Sequence, residues 1–364
     1  MRPRIAIVGA GDVAHRHYLP PLRTLAADVE LAAFVDPGGR AGERAVAATR
    51  QAWPDVVAVA SIDDLPGLGV DAAVDLTPAP LHGQTNRRLL EAGLHVFTEK
   101  PMAQSVPEAD ALIELARSGE RLLLCAPATA VTRRGRWLRE LPEAGGHGRP
   151  TLVVAHHADP GPAAWREYTG DPRPFYGPGV GPLFDHGVYR LHEMTLLMGP
   201  VSRVQAMGSI GVPRRMVRGG PLTGQVIDVT APDHVLVNLE FERGGLGQLL
   251  ASFGTPSTRA PWLEIHFPMA TYSFGGHSWE LDAPVSRYLD DEGPGGTEGW
   301  QEGIDVPLDD EGTPEAGVRH FVACLRGEAM PVLTAEHARH VLEVMLLTYE
   351  SIADGAAHAT TTTF

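Results

Sequence analysis

Along the first third of the chain, short apolar runs alternate with stretches of helical periodicity. RIAIV (4–8), ELAAFVD (30–36), VVAVA (56–60), DAAVDLT (71–77), LHVFTEK (94–100) and RLLLC (121–125) are nearly continuous hydrophobic segments. That is the pattern of strands buried on both faces of a parallel sheet. Helical patterns begin near Asp12, Arg40, Leu81 and Ser105, between most of these runs. The alternation predicts a doubly wound α/β domain over residues 1–125.

From Thr151 the order changes. TLVVAHHA (151–158) leads through a Gly/Pro-rich loop to a helical segment at 181–200. Strand patterns then follow one another: VSRVQAMGSI, DHVLVNLEF, GLGQLLASF, WLEIHF and ATYSF. Consecutive strands with few helices between them predict an α+β domain over 126–364 with a mainly antiparallel sheet. The acidic, glycine-rich stretch LDDEGPGGTEGWQEG (289–303) is expected to be a surface loop, and two helical patterns (315–327 and 334–352) close the chain.

The 364 residues suit two domains, and a hydrophobic content of 43% is normal for globular protein. The formal charge of −15 argues against nucleic acid and anionic membranes as partners. No run is long and apolar enough to span a bilayer. Only two cysteines occur, Cys125 and Cys324, which fits reduced thiols and a cytoplasmic location. The expected partner is therefore a small molecule.

The chemistry-bearing residues cluster at strand ends. IAIVGAGDVAHRH places Gly9, Gly11 and Ala14 in a G-x-G-x-x-A pattern directly after the first strand. Such glycines let backbone N–H groups of the Gly9–Val13 loop, Asp12 included, approach a pyrophosphate at a helix N-terminus. Asp36 ends the next strand, at the offset where an acid binds adenosine ribose hydroxyls; this favours NAD, with Arg40 nearby leaving NADP possible. Thr77, Pro78 and His82 follow the fourth strand, and Glu99 and Lys100 the fifth. All are expected at the carboxyl ends of parallel strands, where open α/β sheets bind ligands. Pro101 disfavours helix at Lys100 and holds it on an extended stalk.

A second group lies in GPLFDHGVYRLHEMTLLMGP (181–200). Asp185, Tyr189 and His192 stand at i, i+4 and i+7, within an arc of roughly 60° on an α-helix. Phe184, Val188, Leu191 and Met198 gather on another side, so the polar stripe is expected to be a site wall or wet surface, not core. In the 158–182 loop, Trp165, Tyr168, Phe175 and Tyr176 are candidates to stack on a sugar ring, with Arg166 or Arg173 meeting a polar group. His156 and His157 are adjacent on a strand and should face opposite ways. The sixteen histidines show no ligand spacing with cysteines or carboxylates, so no metal is expected.

GAGDVA, the segment DLTPAPLHGQTNRRLLEAGLHVFTEKPM and GVGPLFDHGVYRLHEMTLLMGP together resemble the glucose-fructose oxidoreductase/inositol dehydrogenase/rhizopine catabolism family. The likeness covers nearly the whole chain. It implies a Rossmann domain followed by an open-faced α+β domain, tightly held NAD(P), and hydride exchange at a carbon of a sugar, amino sugar or cyclitol. Glu99-Lys100-Pro101 matches the family's E-K-P tripeptide, which implies Lys100 beside nicotinamide and substrate. The helix motif of the family usually reads D-x-G-x-H-x-x-D; here Asp185 and Gly187 are kept, while Tyr189 replaces His and His192 replaces Asp. On this reading Lys100 bonds the reacting oxygen, Asp185 orients lysine or sugar, and Tyr189 or His192 completes a proton relay. Two alternatives stay open: a dinucleotide-binding regulator without catalysis, and an NAD-dependent glycosidase using transient oxidation. The open sheet is expected to pair with another copy as a homodimer or homotetramer.

Overall fold

A computed structural model describes all residues except 1, 145, 277–283, 291–297 and 310. The chain divides into two compact units.

The first unit is built on six parallel strands, β1 (Arg4–Val8), β2 (Glu30–Val35), β3 (Val57–Val59), β4 (Ala72–Asp75), β5 (His95–Thr98) and β6 (Leu123–Cys125), in the order β3-β2-β1-β4-β5-β6. The apolar runs form the centre of this sheet because both faces are covered: Ile5, Ala6, Ile7, Ala33, Phe34, Ala73, Val74, Val96 and Phe97 are fully buried. The crossovers carry α1 (Leu19–Thr24), preceded by a π-helical turn at Ala14–Tyr18, then α2 (Arg40–Thr49), α3 (His82–Glu91) and α4 (Val106–Ser118). Ser105 caps α4, its hydroxyl accepting from the Glu108 N–H at 3.3 Å. The strand order reverses between β1 and β4, and that switch point opens the crevice at the carboxyl ends of the strands.

The second unit begins with α5 (Arg133–Ala144) and β7 (Leu152–Ala158), followed by α6 (Val188–Met198). Its further strands are β8 (Val201–Ser209), β9 (Arg214–Met216), β10 (Val226–Asp228), β11 (His234–Phe241), β12 (Leu246–Ser252), β13 (Leu263–His266), β14 (Ala270–Phe274), β15 (Val285–Leu289), β16 (Gly299–Gln301) and β17 (His358–Ala359). Eight of them and β7 form one sheet, β16-β15-β14-β13-β7-β12-β11-β8-β17, in which, among the described residues, only β7 and β12 pair in parallel. β9 and β10 form a separate hairpin. Along β8 and β11, buried and exposed positions alternate, as one covered face requires.

The remaining helices are α7 (Thr313–Leu325) and α8 (Ala335–Asp354). The first unit comprises Met1–Thr132, Glu311–Leu342 and Phe364; the second comprises Arg133–Asp310 and Glu343–Thr363. α7 joins the first unit because Gly317 lies against Phe97, where a Cβ would approach to 2.8 Å, and Phe321 packs on the same ring at 5.8 Å. The expected loop at 289–303 is also revised: Leu289 and Gly299–Gln301 are strand residues, and 291–297 lie outside the described residues. Cys125 is buried in β6, while Cys324 on α7 is partly exposed, its Sγ 3.5 Å from His320 Nε2. Among the described residues no helix is long and apolar enough to cross a membrane.

Candidate functional site

At the switch point the backbone does the shaping. Gly9 has φ +91°, and a Cβ there would stand 2.7 Å from the Leu76 carbonyl oxygen and 2.9 Å from Thr77 N. Only glycine allows the β1 turn to pass this close to the end of β4. At Gly11 a Cβ would meet nothing within 4 Å, so packing of the chain does not require glycine there. Asp12 pairs with Arg16 at 3.0 Å, and Val13 is exposed. Asp36 follows β2 directly, and its Oδ2 accepts the Gly42 N–H of α2 at 2.9 Å. That bond fixes the carboxylate at the strand end. Together these features fit a dinucleotide: a turn a side chain would block, a helix N-terminal end beyond it, and a fixed acid one strand away.

The loops after β4 and β5 are tied to each other. Thr77 donates its hydroxyl and its N–H to Asp75 Oδ1, at 2.7 and 3.0 Å. Burial is the main cause holding the Asp75 carboxyl above the usual carboxylate range, opposed by His82 and Thr77. Pro78 leads into the short helical turn before α3. His82 was expected to meet the cofactor, but it is 2% exposed and its ring nitrogens face carbonyl oxygens on both sides, Pro101 at 2.8 Å and Thr77 at 2.7 Å. Its place is to clamp the two loops together. Glu99 is likewise anchored, accepting from the Tyr18 hydroxyl at 2.5 Å and from Lys100 N at 3.1 Å. Lys100 itself is half-buried at the carboxyl end of β5 and joined to Pro101 by a cis peptide bond.

In the second unit the helix at 181–200 departs from regular geometry. Leu183–Gly187 form a π-helical turn that continues into α6. The wider turn rotates Asp185 relative to α6, so the i, i+4, i+7 stripe is not the straight line that 3.6 residues per turn would draw. Nor is the segment wet. Asp185 and Tyr189 are partly exposed, but His192 is only 6% exposed, and so are most of its neighbours on every side. The three groups therefore do not share one open polar face. Instead α6 buries an ion pair, Arg190 to Glu193 at 2.8 Å, with the guanidinium 4.5 Å above the Trp262 ring. Burial pushes the Glu193 carboxyl up to about 7, against the pull of Arg190.

The π-turn brings His186 onto β7. His157 Nε2 stands 3.2 Å and His186 Nδ1 3.4 Å from the same oxygen, Asp159 Oδ2, while His186 Nε2 lies 3.5 Å from Asp185 Oδ2. Burial lowers the His157 imidazole to about 3, only partly offset by its bond to Asp159. Burial would raise Asp159, but the two imidazoles win and hold its carboxyl well below the usual range. His156 points the other way along the strand, to the Pro261 carbonyl at 2.8 Å. No spacing in the sequence announced this cluster. His157, Asp159 and His186 offer ligand atoms that all lie within 4.8 Å of one another.

The expected substrate loop mostly packs on itself. Tyr176 is 2% exposed, accepts the Ala163 N–H at 3.0 Å and joins a core of Val217, Ile227, Val229 and Phe253, with its phenol pushed up to about 12 by burial. It is a core residue and cannot stack on a ligand. Phe175 packs against the same core and edge-on to Tyr168. Trp165 stacks on His186, with centroids 5.4 Å apart and planes 17° apart. Arg166 is exposed.

Comparison with known proteins matches residues 3–126 to the oxidoreductase family with an NAD-binding Rossmann fold, and residues 136–273 to the GFO/IDH/MocA C-terminal domain. A candidate UDP-kanosamine synthase oxidoreductase subunit of Amycolatopsis mediterranei is 32% identical over 217 residues, 57% of this chain and 55% of that protein. The chain thus spans about half the length of that relative. A dTDP-3,4-didehydro-2,6-dideoxy-alpha-D-glucose 3-reductase of Streptomyces antibioticus is 28% identical, over 73% of this chain and 80% of the enzyme. The fold matches the crystal structure of an NAD-binding oxidoreductase from Klebsiella pneumoniae with a TM-score of 0.83, at 18% identity and full coverage of both chains.

Proposed function

The chain belongs to the GFO/IDH/MocA oxidoreductase family, and from that premise we propose that it is an NAD-dependent dehydrogenase or ketoreductase interconverting a secondary alcohol and a ketone on a sugar, amino sugar or cyclitol. Nucleotide-linked hexoses are the substrate class to test first, because two aligned relatives carry UDP- and dTDP-sugar names. The observation that carries the reading is Lys100, set at the carboxyl end of β5 directly after the anchored Glu99 and one strand from the switch point. NAD supplies the hydride acceptor or donor. Lys100 donates a hydrogen bond to the reacting oxygen and Asp185 orients the sugar. Tyr189, half-exposed, is a better relay for the hydroxyl proton than the buried His192.

The test is direct: purified protein with NAD and a panel of UDP- and dTDP-hexoses, deuterated at successive ring carbons. The expected result is reduced nicotinamide that carries deuterium from one ring position. A panel of sugars, nucleotide sugars, inositols and their keto forms that gives neither reduction of NAD nor oxidation of NADH would count against catalysis and favour a dinucleotide-binding regulator. NAD should bind more tightly than NADP, since Asp36 repels a ribose phosphate; tighter NADP binding in calorimetry would shift attention to the exposed Arg40.

The outer face of the nine-stranded sheet exposes Met207, Leu236 and Leu246, and we propose that a second copy covers it. Gel filtration at micromolar concentration should give a dimer or larger assembly; a monomer would overturn this.

A further inference from the structure

We propose that His157, Asp159 and His186 form a binding site for one divalent transition-metal ion of the zinc class. Two of the three ligand separations match it closely. A tetrahedral ion with bonds of about 2.0–2.1 Å separates its ligand atoms by roughly 3.3 Å. The two imidazole nitrogens stand 3.2 and 3.4 Å from Asp159 Oδ2. Two imidazoles and one carboxylate are the donor types that borderline divalent ions take, and three protein ligands leave a position for water or a ligand oxygen.

The surroundings carry the argument further, since metal ligands are normally held by hydrogen bonds from behind. Asp159 Oδ1, the oxygen turned away from the histidines, accepts the Gly161 N–H at 2.6 Å. The far nitrogen of His186, Nε2, faces the Asp185 carboxylate at 3.5 Å. A ring with one nitrogen on a metal and its N–H toward a carboxylate is the usual arrangement of a metal-binding histidine. The wall is apolar: Trp165 stacks on the His186 ring and Phe253 meets it edge-on at 5.5 Å. All three ligands are buried. The sources within the fold are also economical, because β7 supplies His157 and leads directly to Asp159, and the π-turn supplies His186.

This inference does not rest on the redox reading, and its test uses neither NAD nor sugar. The full chain, free of any affinity tag, is stripped with a chelator and titrated with Co²⁺ while visible ligand-field absorption is followed, then challenged with Zn²⁺. One Co²⁺ per chain should bind with bands of a low-coordinate site, and Zn²⁺ should displace it. Asp159→Asn and His157→Gln should each weaken Co²⁺ binding by at least about tenfold. Because either variant could lose its fold, circular dichroism accompanies each titration, and the unmutated protein decides the matter by itself. Stripped wild-type protein that gives no ligand-field bands overturns the proposal, as do folded variants that bind Co²⁺ as tightly as the wild type.

Discussion

The switch point of the first unit and the histidine cluster of the second both bring polar groups together, but by different means. At the switch point the shape is made by backbone: Gly9 passes the Leu76 carbonyl where no side chain fits, and Asp36 is fixed by an amide six residues on. Around His157 and His186 the shape is made by side chains that meet only after β7 and the π-turn have packed. The first kind of site is written in a local stretch of sequence. The second depends on register and on helix phase, and no spacing of residues records it.

The contrast is sharpest at the buried Arg190–Glu193 pair, where the largest effect is expected. A Glu193 carboxyl that ionises near 4.5 unfolded and about 7 folded binds more protons in the folded state between those values. Stability should therefore fall as pH rises through that window, by at most about 3 kcal/mol, and level off above it. Urea midpoints at pH 5 and 8 should show this loss for the wild type and little of it for Glu193→Gln. Equal slopes in the two proteins would mean that Glu193 stays ionised.

Next in size is the backbone site. Gly9→Ala places a Cβ against the Leu76 carbonyl at positive φ and should cost roughly 2 kcal/mol of stability and much of the NAD affinity. Unchanged NAD affinity in calorimetry would show that the turn tolerates a side chain and that the switch point is not shaped as described. Asp185→Asn and Tyr189→Phe should each lower turnover by at least about tenfold with the fold intact. If neither does, the π-turn is structural only. The smallest effect belongs to Tyr176→Phe, which deprives the Ala163 N–H of its acceptor and should cost about 1 kcal/mol in thermal unfolding without changing KM. A raised KM would restore Tyr176 to the substrate wall.

The sequence made the first unit's strands, its glycine turn and the placement of Lys100 legible, because each rests on local patterning: continuous apolar runs, a strand-turn-helix, a residue before proline. It also separated the α/β from the mainly antiparallel part. The assignment of α7 to the first unit was hidden, since nothing in an amphipathic helix names the sheet it covers. Asp185, Tyr189 and His192 looked like one polar stripe because their spacing assumes 3.6 residues per turn, whereas a π-turn at Leu183–Gly187 shifts Asp185 and packing buries His192. Tyr176 looked like a ligand platform because loop aromatics and core aromatics are the same residues until the loop folds over them.

On the proposed function, Lys100 acts on the reacting oxygen while the Gly9 turn and Asp36 hold the dinucleotide. The most direct measurement compares wild type and Lys100→Met, by calorimetric NAD affinity and by single-turnover reduction of NAD with the best nucleotide sugar from the panel. The expected result for Lys100→Met is a loss of roughly a hundredfold or more in the single-turnover rate, with NAD affinity unchanged within about twofold. A Lys100→Met protein that reduces NAD at the wild-type rate would contradict it.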